Sequence, residues 1–526
     1  MSQGSRDMLR SCSRLPVVKL STALATLPRS AMNLSRRALI KTAASVFIFP
    51  VPALALTTRF CGAQAQGDPD ANVLALREHV AECIRRGQKD IWIRGHHRVS
   101  SEAIGRVGDT VTGWRGGTNK TLMQLPSGYR LIGDGPAASS LILEGDASVS
   151  LVSIVDAPSV SVEGLGFVGN NLEHSASFPG AIHLLATGNA AHDIDGFRFL
   201  DLQFENFKNA AWCQVENLGT KFLTNVAVKR NKAISRPGNL RGPAEIGADN
   251  DIWAFCGNVL NPAGLIRNVD VEDLVVQGAW AKCAISFWSC VRNARVNRLL
   301  AEDIGLHAQD NSAAYAVKIY SNHWYVNPPE LWLDRRYFPD EIEVLDSTVL
   351  NARSAGVYFA TGGRIIVRNS VFKGQNDRSN MTEPRGCIAG PGCIELICEG
   401  NSIENAFSGI DWFPEIDTNS SALIRNNRIT GIRDDGIGIK VAPTTSPRRN
   451  GHVTIVDNYS HGTEPHCRGL LVRYSDTQRF AQVNVISNIF RGDHADAEIY
   501  RQNTDDQIVF LNNSLLTGKF RLTKTT

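Results

Sequence analysis

Long apolar runs and closely paired cysteines are missing from this sequence of 526 residues. The longest apolar run, 42–56, is interrupted by Pro50 and Pro52 and is shorter than the roughly 18 residues that indicate a membrane-spanning helix. The nine cysteines from Cys83 to Cys467 include no C-x-x-C pair, so they lack the spacing of a metal site. We therefore expect no membrane anchor and no metal site, and we expect most cysteines to be buried and free.

Acidic residues are almost absent from the first 65 residues, which hold nine Lys or Arg and a single acid, Asp7. The rest of the chain holds 46 basic and 51 acidic residues, a formal charge of about −5. The overall charge of +3 is therefore set by the N-terminal segment, and a nucleic-acid partner is not supported.

That basic segment has the order of parts of an export signal. The stretch "SRRALIK" (35–41) precedes the apolar run, and "AQA" (63–65) offers the small residues that a signal peptidase needs. It resembles a twin-arginine signal with Arg36 and Arg37 as the pair, and Met32 is an alternative start. The resemblance implies that 1–65 is removed, that the twin-arginine translocase is a transient partner, and that the mature protein is periplasmic or secreted, without a membrane partner.

One helical pattern opens the mature chain, and strand patterns follow it. Asp70 is placed to cap this helix and Gly87 to end it in the left-handed conformation. The apolar positions on one face are Val73, Leu76, Val80 and Ile84. Such a helix can cover the open end of a stack of sheets, whose unpaired backbone groups would otherwise recruit other chains.

After Leu131 the chain repeats a short segment in which apolar residues alternate around an Asn or Asp. The centres are Asp201, Asp273, Asp346, Asn369, Asn401, Asn427, Asn458, Asn488 and Asn513. From Asn369 onward the steps are 32, 26, 31, 30 and 25 residues, and a second strand-like segment recurs between the centres. This spacing indicates a solenoid, and strand-sized units favour a parallel β-helix over a β-propeller or a leucine-rich repeat. We expect each Asn to occupy a left-handed turn and to bond to the Asn of the next coil.

The helix, the segments "DIWIRGHHRVSS" and "YRLIGDG", and the Asn-centred repeats together resemble the pectate-lyase-like right-handed parallel β-helix superfamily over nearly all of the mature chain. The resemblance implies an all-β solenoid of roughly 10–12 coils, with 66–526 as one domain and 66–130 as its cap and first coils. The superfamily contains polysaccharide lyases, hydrolases, epimerases and phage tailspikes, so the fold does not select a reaction.

The alternation of side chains predicts one outer face that carries charged and aromatic groups. In "DGIGIKV" (435–441) it sends Ile437 and Ile439 inward and leaves Gly438 and Lys440 outward. The same reading places six residues on this face, on coils about 4.8 Å apart: Lys318, Tyr320, Tyr358, Asp411, Lys440 and Arg473. The face suits an extended charged polysaccharide, and the alternative is an ordinary solvated sheet face.

Three motifs resemble those of polygalacturonase-type glycoside hydrolases in their order: "SGIDWF" (408–413), "RDDGIGIK" (433–440) and "PHCRGLLV" (465–472). The resemblance implies that Asp434 and Asp435 are an acid pair, that Asp411 is a further acid, and that His466 is the motif histidine. Ser408 stands where the family has a carboxylate. Two adjacent carboxylates repel each other, which raises one pKa and keeps a proton available for hydrolysis, although Asp is also common in turns.

We expect an exported protein that cleaves an acidic polysaccharide, with hydrolysis slightly favoured and no cofactor. The first alternative is a lyase, in which Lys318, Lys440 or Arg473 removes a proton and Ca²⁺ or arginine neutralises the substrate. The second is a glycan-binding protein without catalysis, which the missing carboxylate favours. The insertion 322–340 adds His323 and Trp324 as candidate substrate contacts, unless its aromatic residues pack on the side of the solenoid.

Overall fold

The computed structural model describes the chain from Gly67 to Lys524, with thirteen gaps inside that range. The gaps are 114–116, 170–178, 208–210, 236–249, 279–280, 306–312, 322–333, 376–385, 415–419, 441–447, 463, 474–477 and 502–506. His323, Trp324 and the export signal lie outside the described residues.

Almost all of the described chain is β-structure arranged in three long sheets. Sheet 1 has 14 strands: β1 (Asp90–Ile93), β5 (Arg130–Gly133), β8 (Ser161–Glu163), β11 (Ile194–Leu200), β14 (Leu223–Lys229), β17 (Ile266–Glu272), β20 (Val291–Asn297), β23 (Asp340–Leu345), β26 (Gly362–Arg368), β29 (Cys393–Glu399), β32 (Ser421–Arg425), β35 (Arg448–Val456), β38 (Gln478–Ile486) and β41 (Ile508–Leu511).

Sheet 2, which positions the candidate site, has 15 strands. They are β3 (Asp109–Thr112), β4 (Thr118–Gln124), β7 (Ser150–Val155), β10 (Ile182–Ala186), β13 (Ala211–Asn217), β16 (Asp251–Cys256), β19 (Cys283–Trp288), β22 (Tyr315–Tyr320), β25 (Ala355–Phe359), β28 (Gly386–Gly390), β31 (Ser408–Trp412), β34 (Asp435–Lys440), β37 (Arg468–Arg473), β40 (Ala495–Arg501) and β43 (Phe520–Lys524).

Sheet 3 has 14 short strands: β2 (Gly95–Ser100), β6 (Ser139–Glu144), β9 (Gly166–Val168), β12 (Gln203–Glu205), β15 (Lys232–Ser235), β18 (Val275–Gly278), β21 (Leu300–Glu302), β24 (Thr348–Leu350), β27 (Val371–Lys373), β30 (Ser402–Glu404), β33 (Arg428–Ile432), β36 (Tyr459–Gly462), β39 (Ile489–Arg491) and β42 (Ser514–Leu515).

Each turn of the chain adds one strand to sheet 1, one to sheet 3 and one to sheet 2. Strands of neighbouring coils pair in parallel, and the pairing of β3 with β4 is antiparallel. The protein is therefore a right-handed parallel β-helix, as the sequence predicted. It has a few more coils than the expected ten to twelve, because early coils such as the one that contains β5 lack the Asn-centred pattern.

The core consists of inward side chains that stack from coil to coil. On sheet 2, Phe255, Phe287 and Ile319 are register partners and fully buried. The ring centroids of Phe255 and Phe287 are 5.3 Å apart. Full burial of one such side chain contributes about 1.5–3 kcal/mol, so the ladders stabilise the stack. Because side chains alternate along a strand, the residues between the buried ones point outward.

Helix α1 (Pro69–Arg85) covers the first coils, as expected for a cap. Its N-cap is Asp68 rather than Asp70, because Pro69 fixes the first turn, and the Asp68 side chain accepts a hydrogen bond from the Asp70 amide. Gly87 follows the helix with φ of +66°. The buried apolar face consists of Val73, Leu76, Val80 and Cys83, whereas Ile84 is 37% exposed.

Two short helical segments, α2 (Ser101–Val107) and a 3-10 helix (Arg335–Tyr337), complete the described helices. None of the helices in the described chain is both long and apolar enough to cross a membrane. The nine cysteines from Cys83 to Cys467 all carry free thiols, and eight of them are buried.

A ladder of asparagines joins the C-terminal coils. The side-chain amide of Asn427 donates to Asn458, and that of Asn458 donates to Asn488, each at 2.9 Å. The left-handed residues here are Asn426 and Asp457, each one position before a ladder asparagine. The prediction that a single Asn fills both roles was therefore wrong for these coils, since the chain divides the two roles between neighbouring positions.

Candidate active site

The outward side chains of sheet 2 form straight rows, because the pairing keeps its register over many coils. Lys318 is the register partner of Tyr358. Through Ala389 the same row reaches Asp411, three strands or about 14 Å away from Lys318. In a parallel row, Lys440 is the register partner of Arg473. The structure thus brings the outward residues of the sequence analysis onto one sheet.

Lys440 lies between two buried carboxylates on this face. Its Nζ is 2.8 Å from Asp411 Oδ1 and 3.0 Å from Oδ2, and it is 2.9 Å from Asp435 Oδ2. The side chains of Asp411 and Asp435 are only 5% and 1% exposed, and that of Lys440 is 18% exposed. Because both carboxylates contact one ammonium group, their nearest oxygens are no more than about 5.7 Å apart.

Gly438 provides the space for this cluster. It is the register partner of Asp411, and a Cβ atom at this position would lie 2.1 Å from Asp411 Oδ1 and 3.1 Å from Lys440 Cε. Any larger residue would displace the carboxylate, so the glycine in "DGIGIK" has a direct role in the site.

The environment of Asp411 favours its protonated form. Burial raises the pKa of Asp411 to about 6, the charge of Asp435 adds to the rise, and Lys440 opposes it. The sequence analysis expected a raised pKa within the pair Asp434 and Asp435, caused by their repulsion. The structure shows a raised pKa at Asp411, which lies outside that pair, and burial is the main cause.

Two neighbours in sequence, Asp434 and Asp435, have different surroundings. The Asp435 side chain is buried and paired with Lys440 and with Arg468, whose Nη1 is 2.8 Å from Oδ1. Asp434 precedes the strand, is 31% exposed, and lies 3.7 Å from Arg468 Nη1. Asp434 is therefore the acid of the cluster that a substrate can most easily reach.

Arg468 and Glu498 extend the cluster to the next two coils, and the sequence analysis missed both. Arg468 is the register partner of Asp435, and its Nε donates to Glu498 Oε2 at 2.6 Å. His494 Nε2 lies 3.5 Å from the same oxygen. The sequence carries one signal for this contact. Arg468 and Asp435 begin equivalent strands of successive repeats, so their opposite charges are expected to lie side by side.

His466 is not joined to the acids. It is exposed in the turn before β37, and within the described chain no hydrogen bond or ion pair links it to Asp411, Asp434 or Asp435. Ser408 is buried at the start of β31, and its hydroxyl has no hydrogen-bond partner among the described residues.

The predicted aromatic contacts mostly pack against one another. Tyr358 stacks on Tyr315 with centroids 4.4 Å apart, and Tyr320 contacts Trp288 at 5.0 Å. Tyr320 and Tyr358 are 6% and 8% exposed. Lys318 Nζ lies 4.2 Å from the centroid of the Tyr320 ring. Lys318 and Trp288 are partly exposed members of this cluster.

The cations nearest the acids are held in their charged form. Burial lowers the pKa of Lys440, but Asp411 and Asp435 outweigh it, so the net pKa is above the ordinary lysine value. The pKa of Arg468 is also raised, since Asp435 and Glu498 outweigh its burial. Within the described chain, no three His, Cys, Asp or Glu side chains are grouped to hold a metal ion.

The fold has known counterparts, although no protein-family model and no characterised protein matches the sequence. Tailspike protein 3 of bacteriophage CBA120 is 13% identical, with a TM-score of 0.51 over 91% of this chain and 68% of that chain. The catalytic unit of a GH87 α-1,3-glucanase from Streptomyces thermodiastaticus is 12% identical, with a TM-score of 0.45 over 87% and 68%. A mannuronan C-5 epimerase A-module from Azotobacter vinelandii is 12% identical, with a TM-score of 0.31 over 88% and 96%. The similarity to the tailspike establishes that the chain shares the parallel β-helix fold.

Proposed function

We propose that this protein hydrolyses glycosidic bonds of a polysaccharide that lies along the outward face of sheet 2. The observation that carries the proposal is the acid cluster on that face. It combines a buried carboxyl, Asp411, whose pKa is raised to about 6, with a more exposed carboxylate, Asp434. Hydrolysis of a glycosidic bond needs one acid that holds a proton and a second that is ionised.

In the proposed reaction, protonated Asp411 gives its proton to the glycosidic oxygen as the bond to the anomeric carbon breaks. Asp434 accepts a proton from the water that attacks that carbon, so one water is consumed for each bond. Asp435 has no direct role in proton transfer, because it is paired with both Lys440 and Arg468. Its charge helps to keep the proton on Asp411.

The charge state of Lys440 supports hydrolysis over elimination. A lyase base must be able to accept a proton near neutral pH. Two carboxylates within 3 Å keep Lys440 protonated, and Arg468 is held in the same way. Of the candidate bases that the sequence suggested, Lys440 is therefore unsuited to the role, which leaves elimination without its best-placed base.

Glycan binding without cleavage is the second candidate, and one observation favours it. The side chains of Asp411 and Asp435 are almost fully buried, at 5% and 1% exposure, and a catalytic acid must reach its substrate. In this case the cluster would be a structural charge network below a binding face.

We also propose that the protein acts outside the cytoplasm, which rests on the twin-arginine pattern at Arg36 and Arg37. Fusion of residues 1–65 to a reporter that is active only after folded export tests this proposal. Export should be lost when both arginines are replaced by lysine. Export that continues unchanged would contradict it.

The reaction is tested by incubating the purified protein with a panel of neutral and acidic polysaccharides. We expect new reducing ends without the ultraviolet absorbance of an unsaturated product. Asp411→Asn and Asp434→Asn should abolish them, whereas Glu395→Gln on sheet 1 should leave them unchanged. Unsaturated product would establish a lyase. Retention of polysaccharide without cleavage would establish a binding protein.

A further inference from the structure

Two arginines on the last coils of sheet 2 have no carboxylate partner in the part of the chain that the structure describes. Arg473 and Arg521 are both exposed, and within the described residues neither lies within ion-pairing distance of an acid. The Arg473 guanidinium lies 5.9 Å from the centroid of the Tyr500 ring. Arg521 Nη1 lies 3.2 Å from His494 Nε2, which is a contact to a second basic group.

Two arginines on the outward face of sheet 1 provide a contrast, because each has an acidic partner. Arg295 is 3.0 Å from Asp270, and Arg364 is 3.2 Å from Glu395, on neighbouring strands. These arginines are balanced by acids that the fold itself supplies. Near Arg521, by contrast, the acid in register is Glu498, which is buried and already bonded to Arg468. Arg473 and Arg521 therefore lack the neighbouring acid that Arg295 and Arg364 have among the described residues.

The two arginines continue the two neighbouring rows that contain Lys440 and Asp411. Arg473 is the register partner of Lys440, one coil or about 4.8 Å beyond it. Tyr500 is the register partner of Arg473 on the following coil, and it is partly exposed. Arg521 lies on the last strand in the row of Asp411, as the register partner of Glu498. It is two coils beyond Arg473, or about 9.6 Å along the stack, and two residues or about 6.6 Å across it. A polymer that passes Lys440 along this face meets Arg473 and Tyr500 in the same row and Arg521 in the row beside it.

We propose that Arg473, Tyr500 and Arg521 form a subsite for anionic sugar units, which makes the protein selective for a polysaccharide that carries carboxylate groups. A guanidinium group presents parallel N–H donors that match the two oxygens of a carboxylate, and an aromatic ring offers a flat surface for a sugar ring. A neutral polymer would leave both arginines uncompensated. The inference deepens the proposed hydrolysis by naming the substrate class of the same face.

Binding to matched polymers tests the subsite separately from cleavage. The Asp434→Asn variant serves as the parent, so that bound polymer is not consumed. Its affinity is measured by electrophoresis in gels that contain polygalacturonate or alginate, or the fully methyl-esterified form of each. The esters keep the backbone and remove the charge. We expect retention by at least one anionic polymer and at least tenfold weaker retention by its ester.

Arg473→Gln and Arg521→Gln should each weaken binding to the anionic polymer about tenfold and leave binding to the ester unchanged. Arg295→Gln on sheet 1 is the matched control and should have no effect. The subsite is refuted if the two variants bind like the parent, if polymer and ester bind equally, or if no anionic polymer is retained. If the parent binds charge-selectively but the unmodified protein releases no reducing ends, the hydrolysis is refuted and the subsite is supported.

Discussion

Replacement of Asp411 by Asn should make the folded protein more stable near neutral pH while it abolishes cleavage. The folded state raises the pKa of this carboxyl from 3.8 to about 6, so ionisation of Asp411 disfavours folding. The cost is absent below the unfolded pKa, grows as the pH rises from about 4 to 6, and is fully present above the folded pKa. Asn carries no charge at any pH and avoids this cost.

The expected size follows from the shift of about two pKa units. One unit corresponds to about 1.4 kcal/mol, so the full cost is about 3 kcal/mol. Between about pH 4 and pH 7.5, the stability of Asp411→Asn relative to the unmodified protein should therefore rise by about 2–3 kcal/mol. Contacts that Asn fails to reproduce, such as part of the bond to Lys440, change the stability of the variant equally at both pH values. They therefore do not affect the predicted rise in relative stability between about pH 4 and pH 7.5.

Guanidinium unfolding of both proteins at the two pH values measures this difference. Other titrating groups are common to both proteins and cancel in the comparison. A stability difference that is the same at both pH values would refute the raised pKa. A loss of stability by the variant that grows with pH would reverse the sign of the argument, because it would mean that the ionised carboxylate stabilises the fold.

Three further changes test the surroundings of the acids and the scaffold. Lys440→Met should cost about 3–5 kcal/mol in denaturant unfolding, since it leaves the buried carboxylate of Asp411 without a cation, and Asp411→Asn should stabilise this variant more than it stabilises the unmodified protein; a purely additive double variant would contradict this. Gly438→Ala should cost about 1–3 kcal/mol and abolish reducing-end release, whereas Gly188→Ala, whose added Cβ meets no atom within 4 Å, should change neither. Asn458→Ala should cost about 1–3 kcal/mol in the same unfolding assay, because it removes the acceptor of the asparagine below it; an unchanged midpoint would show that the ladder does not stabilise the stack.

The fold was predictable because β-helix coils repeat a local pattern that the sequence displays directly. Alternation around Asn427 and Asn458 fixes which residues turn inward, and parallel stacking then follows from the repeat length. The sequence did not show that the left-handed residue and the ladder asparagine occupy two neighbouring positions rather than one. Asn, Asp and Ser all fit near such a turn, so side-chain type does not separate the two roles.

The site was predictable as a face but not as a set of contacts. Alternation places Asp411 and Lys440 outward, yet their contact depends on the register between β31 and β34, which the sequence does not specify. Arg468 and Glu498 were missed for the same reason, since only the register shows that both bond within the cluster. The raised pKa of Asp411 was not predicted, because burial, its main cause, is a tertiary property.

The pH dependence of cleavage tests the central claim most directly. If Asp411 supplies the proton, kcat/KM for reducing-end release should fall about tenfold per pH unit above a pKa of about 6. The same limb should be missing from any residual activity of Asp411→Asn. An unmodified protein whose kcat/KM stays constant from about pH 5 to 8, or which releases no reducing ends from any polysaccharide, would contradict the account.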